Sequence, residues 1–358
     1  MDLRKNRVAI GAGLFVVLLG LTLWTVTRDE RRPTSASEAP SVDIDEEAVS
    51  VLEITRPSGE AVTLSNASGQ WRVVSPVDAE ADPSNVETAL TRLAELDLTR
   101  VVATQEENYA RLEVDDANAV RVVVVAGDET VATLAIGKYA NGMTMLRLDE
   151  YVEVFGASGS LRYAFDRELK AWRNRRVVEV EAADVSSIAF ENANGSFQFE
   201  RAGDTWTASQ GAEALGDFDP KKVSGLVSTA ARLIASDFAG EDVSEARAGL
   251  TEPNARVTLG ISSGAEPIVL EIGDATDEPS EAYLRRAGNE TIYVVSQYLA
   301  DRLRPDAAAF QKSEEAPAPP PPTMPAMPQQ GQGQQQLPPE IMRQLQEQIR
   351  RQQQQQGR

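Results

Sequence analysis

The chain has 358 residues, of which 42% are hydrophobic and 25% charged. That is the length of two ordinary domains with globular composition. Cys and His are both absent, which excludes disulfides, thiol nucleophiles, Ser-His-Asp triads, imidazole metal ligands and haem attachment. Acidic side chains outnumber basic ones 55 to 35, for a formal charge of −20, and a body this acidic repels phosphate backbones, so no nucleic acid partner is expected.

The charge is unevenly distributed along the chain. Residues 1–32 carry +3, residues 33–312 carry −23, and residues 313–358 sum to zero. A short N-terminal segment, 1–7, precedes the uncharged run 8–26, VAIGAGLFVVLLGLTLWTV. At about 1.5 Å rise per residue this run spans a hydrocarbon core, and Trp24 falls near its outer end. A cleavable signal peptide is the competing reading. The run is longer than a signal core and ends without an A-x-A-like site, so an uncleaved anchor is expected. Lys and Arg tie at three on each flank; the short N-terminal tail then places residues 1–7 in the cytoplasm and the bulk of the chain outside. The expectation is a single-pass inner (cytoplasmic) membrane protein with a periplasmic body, held in lipid by its anchor.

Residues 27–49 are rich in charge, Ser, Pro and Ala, as a linker would be. Beyond them the chain repeats itself. Asp82-Pro83 with Val86 and Leu90 lines up with Asp219-Pro220 with Val223 and Val227, a shift of 137 residues. The same offset, within three residues, pairs Gly69-Gln70-Trp71 with Gly203-Asp204-Thr205-Trp206. It also pairs Leu134-Ala135-Ile136-Gly137 with Leu270-Glu271-Ile272-Gly273, and Met145-Leu146-Arg147 with Tyr283-Leu284-Arg285. Two modules of one kind are expected at 50–166 and 184–310, with a connector at 167–183.

Each module reads as α+β. Short apolar runs at 51–54, 61–64 and 71–74 predict neighbouring strands. Asp82 caps a helix with Pro83 at its first position, and Val86, Leu90, Leu93 and Leu96 give it one buried face. Strands follow at 121–126, 131–136, 144–148 and 151–155, then short helices at 161–165 and 166–174. Tight turns between strands favour antiparallel pairing. The predicted fold is therefore two tandem repeats of a mostly antiparallel sheet with a packed helix, preceded by one transmembrane helix and followed by a disordered tail, 311–358. The tail turns to Pro, Gln and Ala, with four consecutive prolines at 319–322, a composition that does not build a core. A stripe of Ile341, Leu345 and Ile349 offers a short docking helix as the alternative to plain disorder.

Candidate sites are few. Trp71 and Trp206, at equivalent places, are expected as core plugs rather than ligand-stacking rings. Asp115/Asp116, Glu241/Asp242 and the run Asp43 to Glu47 lack the spacing of a calcium loop, and Gly137-Lys138 is no phosphate loop. Arg173, Arg175 and Arg176 are expected as a solvated or inter-module salt-bridge patch, with an anion site as the minor alternative. No catalytic, cofactor-binding or metal-ligating residue is assigned.

The order of anchor, strand-turn-Trp, Asp-Pro helix, Gly249-Leu250-Thr251-Glu252-Pro253, Leu270-Glu271-Ile272-Gly273 and Arg173-Asn174-Arg175-Arg176-Val177-Val178 resembles the domain-of-unknown-function 4340 family over about residues 8–310. The first copy departs from that pattern, reading Arg111-Leu112-Glu113-Val114-Asp115. The resemblance implies a membrane-anchored, duplicated, non-enzymatic accessory or binding protein, partnered by components of an ABC-type transporter of the gliding-motility kind. It brings no catalytic residues. The alternative is an exported carboxylate-based hydrolase or carbohydrate-binding protein.

Overall fold

The computed structural model of the chain describes residues 38–210, 215 and 218–312. The apolar run 8–26, the N-terminal segment 1–7 and the tail beyond Lys312 lie outside the described residues. Among the described residues no helix is long and apolar enough to cross a membrane.

The first sheet is built from β1 (Val49–Thr55), β2 (Ala61–Ser65), β3 (Arg72–Ser75), β4 (Ala79–Glu80), β5 (Leu98–Ala103), β6 (Val120–Ala126), β7 (Glu129–Ala140), β8 (Met143–Leu148) and β9 (Val154–Ser158), ordered β4-β3-β2-β1-β6-β7-β8-β9-β5. Four short helices accompany it: α1 (Pro83–Ala94), α2 (Tyr109–Leu112), α3 (Arg162–Phe165) and α4 (Leu169–Trp172). The second sheet uses β10 (Val185–Asn192), β11 (Gly195–Ala202), β12 (Thr205–Gln210), β13 (Asp237–Phe238), β14 (Ala255–Ile261), β15 (Ile268–Ala275), β16 (Glu281–Arg286) and β17 (Tyr293–Ser296), ordered β12-β11-β10-β14-β15-β16-β17-β13. It carries α5 (Pro220–Ala231) and α6 (Gln297–Arg302). Every strand pair is antiparallel, and apart from β4 the second order repeats the first.

The repeat extends to details of register. Leu52 lies between Leu64 and Val124, as Ile188 lies between Phe199 and Leu259. A bulge follows Val49 in one copy and Val185 in the other, and a second follows Ile136 and Ile272. Each module has its own core. Leu52, Ile54, Leu64, Val122, Val124, Ile136 and Phe155 pack beneath α1 in the first, while Ile188, Phe190, Phe199, Val257, Leu259 and Leu270 pack beneath α5 in the second.

The capped helices form as predicted. The Asp82 carboxylate accepts the Asn85 N–H at 3.0 Å, and the Asp219 carboxylate accepts that of Lys221 at 3.0 Å. Val86, Ala89 and Leu93 are the buried face of α1. The Leu-x-Ile-Gly marks are not strand ends, however. Gly137 and Gly273 lie inside β7 and β15, at the second bulge. A Cβ on Gly137 would sit 2.3 Å from the Leu112 carbonyl oxygen, and one on Gly273 would sit 2.0 Å from that of Ala248. Glycine recurs there because another backbone crosses the strand at contact distance.

The crossing backbone belongs to the excursion between β5 and β6, or β13 and β14, which plugs the opposite sheet face with Val114 or Leu250. The two excursions coincide with a two-residue difference from the sequence alignment. Glu113 (φ 60°) occupies the left-handed position of Gly249 (φ 67°), and Val114, not Leu112, is the counterpart of Leu250. The Val114 N–H donates to Tyr109 and the Leu250 N–H to Glu245, the same five-residue closure. Arg147 and Arg285 then donate to the carbonyls of Val114 and Leu250, which explains the repeated Leu-Arg.

The segments expected as linker and connector are partly built into the modules. Ile44 is buried in the first core, with Ala39 and Val42 packed against it. Trp172, inside the expected connector, is fully buried in the same core. Its carbonyl accepts the Asp82 N–H at 2.8 Å, as the Phe310 carbonyl accepts that of Asp219 at 2.9 Å. Each module is thus closed by a C-terminal aromatic locked to the cap of its long helix. Val177 and Val178 already belong to the second core, leaving only Arg173 to Arg176 between the two. Gln311, expected in the tail, still pairs with Phe218.

Candidate functional site

Features present in both copies are scaffold, so the informative places are those where the copies differ. One such difference lies beside the N-terminal half of α1. A groove of about 620 Å³ opens there, lined by Glu46, Glu47, Asn66, Gln70, Trp71, Glu80, Ala81, Pro83, Val86, Glu87, Leu90, Thr91 and Asn174. Its walls come from the segment before β1, the β2–β3 turn, β4, α1 and the first residues after α4.

Three substitutions between the copies bear on this opening. Ala81 pairs with Arg173 as Phe218 pairs with Gln311. Where the first copy leaves a methyl group, the second places a ring stacked on Phe199 at 5.5 Å. Glu87 on α1 corresponds to Ser224 on α5, whose hydroxyl donates back to the Pro220 carbonyl. Trp71 is half-buried and forms part of the wall, whereas Trp206 is 2% exposed, with the Arg201 guanidinium 4.6 Å from its ring centre. The core-plug expectation therefore holds for Trp206, while Trp71 keeps an accessible face.

The electrostatics of the groove are one-sided. Four glutamates line it with no Lys or Arg, and none of the four is ion-paired among the described residues. Glu80 accepts the Asn174 side-chain N–H at 3.4 Å, and the Asp45 carboxylate accepts the Glu47 backbone N–H. Asn66 Oδ1 is buried and meets no donor. Among the described residues no three carboxylates gather closely enough to hold a metal ion, so the acids are spread along the walls rather than focused on a point.

The other sequence candidates are structural. Asp115 caps a turn by accepting the N–H groups of Ala117 and Asn118. Asp242 pairs with Arg247 at 3.1 Å. The arginines between the modules do meet there, but largely not as salt bridges. Arg173 lies 3.4 Å from the Phe238 ring centre, Arg175 donates to the Ala235 and Ser236 carbonyls, and Arg176 reaches Ser84 and, at 3.5 Å, Glu179. Burial pulls the Arg173 guanidinium below its usual value, and the nearby Tyr293, Asp237 and Glu241 oppose that only in part. Burial on β1 pushes the Glu53 carboxyl upward, opposed by Arg121; Glu53 does not line the groove.

Glu46, Glu47, Asn66, Gln70, Glu80, Glu87 and Asn174 were not assigned as a site from sequence. A signal existed within the repeat itself, in Ala81 against Phe218 and Glu87 against Ser224. The sequence profile of the family described as "Domain of unknown function (DUF4340)" matches residues 71–248 and again 212–320, together well over half the chain. The chain belongs to the DUF4340 family. The DUF4340 matches begin at Trp71 and overlap between 212 and 248, so the first runs from the middle of one module into the next. No curated protein and no solved structure matches the chain.

Proposed function

We propose that this DUF4340 protein is a non-enzymatic accessory protein of an ABC-type transport system. In this reading residues 8–26 anchor it in the inner membrane, and the paired modules present a binding surface outside the cytoplasm. The observation that supports the reading is the groove. It is open, walled by an accessible indole, and rimmed by four glutamates. Such a surface suits recognition of another macromolecule. The modules supply a stiff mount, because backbone hydrogen bonds tie residues 172–180 to both modules: Asp82 N–H to Trp172, Asn174 N–H to Glu80, and Val177 and Val180 N–H to Leu233 and Ala231.

The alternative, an exported carboxylate hydrolase or carbohydrate-binding protein, draws on the same Trp71 and glutamates. Co-purification of the full-length protein from detergent-solubilised membranes separates the two. The accessory reading predicts that transporter permease and ATPase subunits come with it. Recovery of the protein alone, under conditions that keep a known transporter intact, speaks against it.

A further inference from the structure

The groove's chemistry specifies what it takes. Its volume falls within the range of about 300–1,000 Å³ usual for ligand sites, and its floor is apolar: Ala81, Pro83, Val86, Leu90 and the face of Trp71. Its polar rim is rich in acceptors. Four glutamates with no ion-pair partner among the described residues line it, and the lining includes no Lys or Arg. An anionic ligand is repelled. A lone metal ion finds no three carboxylates together. What fits is a ligand that brings several N–H donors and positive charges, spaced along an apolar stem.

We infer that the groove docks a basic, extended polypeptide segment of a partner protein. A Lys or Arg side chain lies on the Trp71 indole, and its aliphatic stem covers Val86 and Leu90. Cation–π contact attracts a guanidinium to the face of an indole, and long basic side chains cover apolar surface along their stems. The glutamates then fix register and raise the encounter rate rather than supply most of the affinity. The second copy differs at the matching positions: Phe218 stands at the place of Ala81, its ring stacked on Phe199, and Ser224 replaces the rim carboxylate Glu87. The inference rests on the accessory reading for its partner, but its test does not.

The test uses the full chain in detergent and a fluorescein-labelled ten-residue peptide of alternating Arg and Ala, followed by anisotropy at two salt concentrations. A peptide with Gln in place of Arg is the neutral control. Two groove variants are compared with one charge-matched control. Ala81→Phe copies the second module's own residue into the floor. Glu47→Gln/Glu87→Gln removes two exposed carboxylates whose side chains support nothing else in the fold. Asp204→Asn/Glu266→Gln removes the same charge from the exposed β11–β12 and β14–β15 turns of the second module.

The expected result is saturable binding of the Arg peptide only, weakened about tenfold or more by either groove variant, which corresponds to about 1.4 kcal/mol. The turn variant should change binding less than about twofold, since exposed charges beyond a Debye length are screened. Equal weakening by the turn variant, or full binding by Ala81→Phe, overturns the inference and reduces the effect to general attraction by an acidic surface. Binding of the Gln peptide equal to that of the Arg peptide overturns it too. Should transporter subunits co-purify equally with Ala81→Phe and with the natural chain, the groove assignment falls while the accessory reading stands. Peptide binding as predicted, with no subunit recovered, removes the accessory reading alone.

Discussion

Trp172 offers a sharp test of the claim that each module is closed by an equivalent aromatic. It is fully buried, its carbonyl accepts the Asp82 N–H, and its Nε1 has no partner among the described residues. Phe310 does the same work in the second module with a ring that has no polar atom, packed 4.8–5.7 Å from Phe190, Phe197 and Phe199. Trp172→Phe leaves a void of about 40 Å³, which at about 24 cal/mol per Å³ costs about 1 kcal/mol. It also removes a buried donor that nothing satisfies, a group that costs about 1–3 kcal/mol to bury. The balance lies between zero and about 2 kcal/mol in favour of Phe. Trp172→Ala has no such offset and costs about 3–5 kcal/mol. Urea unfolding followed by far-ultraviolet circular dichroism, with the slope unchanged between variants, measures both. A Trp172→Phe chain that loses more than about 2 kcal/mol would refute the equivalence of the two closures and the idle Nε1.

Other predictions follow from named contacts. Gly137→Ala and Gly273→Ala each drive a Cβ into a carbonyl oxygen, so each should cost at least about 2 kcal/mol by overpacking; a neutral outcome in the same urea assay would show that the excursion is free to retreat. The Asp166 carboxyl is pushed up by burial, but hydrogen bonds from Arg56 at 2.9 Å and Arg162 at 3.1 Å outweigh that and hold it below its ordinary 3.8. A depressed folded-state value means the stabilisation is present above the unfolded value and fades as pH falls through the folded one. Asp166→Asn should therefore cost about 2 kcal/mol at pH 7 and progressively less below pH 3.8, and a deficit constant across that range would contradict the pairing. Arg173→Ala removes the guanidinium over Phe238 between the modules and should cost about 1 kcal/mol. Calorimetry should then resolve two transitions, one for each core, and an unchanged single transition would place the coupling elsewhere.

The scaffold was legible in the sequence where the physics was local. Asp-Pro followed by Val86, Leu90 and Leu93 specifies a capped, one-sided helix wherever it occurs, and the duplicate at Asp219-Pro220 made the repeat plain. Alternation located most strands to within a few residues, although the strand expected at 151–155 starts only at Val154. β5 was missed because Thr99 and Arg100 interrupt its apolar run, and β13 because it is two residues long. The meaning of Gly137 and Gly273 was not legible, since it depends on a backbone 25 residues away in sequence. The Trp172–Phe310 equivalence was hidden because the two closing segments share almost no residues; only the hydrogen bond to the helix cap reveals it. The left-handed Glu113 misled the alignment for a related reason, since glycine is the usual signal for that backbone.

The groove was the hardest part to read. Its carboxylates come from positions 46, 47, 80 and 87, which no motif connects and which sit among 55 acidic residues. Glu46 and Glu47 fall in a stretch whose composition reads as linker, yet Ile44 beside them is anchored in the core. Trp71 and Trp206 look interchangeable in sequence. What separates them is packing: Trp71 lines the groove, while Trp206 is buried in its core with the Arg201 guanidinium over its ring.

The most direct test of the central claim, that docking belongs to the first copy's groove, is site-specific photocrosslinking in cells. A photoreactive phenylalanine derivative replaces Glu87 on α1 in one strain and its counterpart Ser224 on α5 in another; both positions are exposed. Prediction and contradiction are both plain on a gel. A discrete partner adduct from position 87, absent from position 224 and lost when Ala81→Phe is added, is the predicted result. Equal adducts from both positions, or an adduct from 224 alone, would contradict the account.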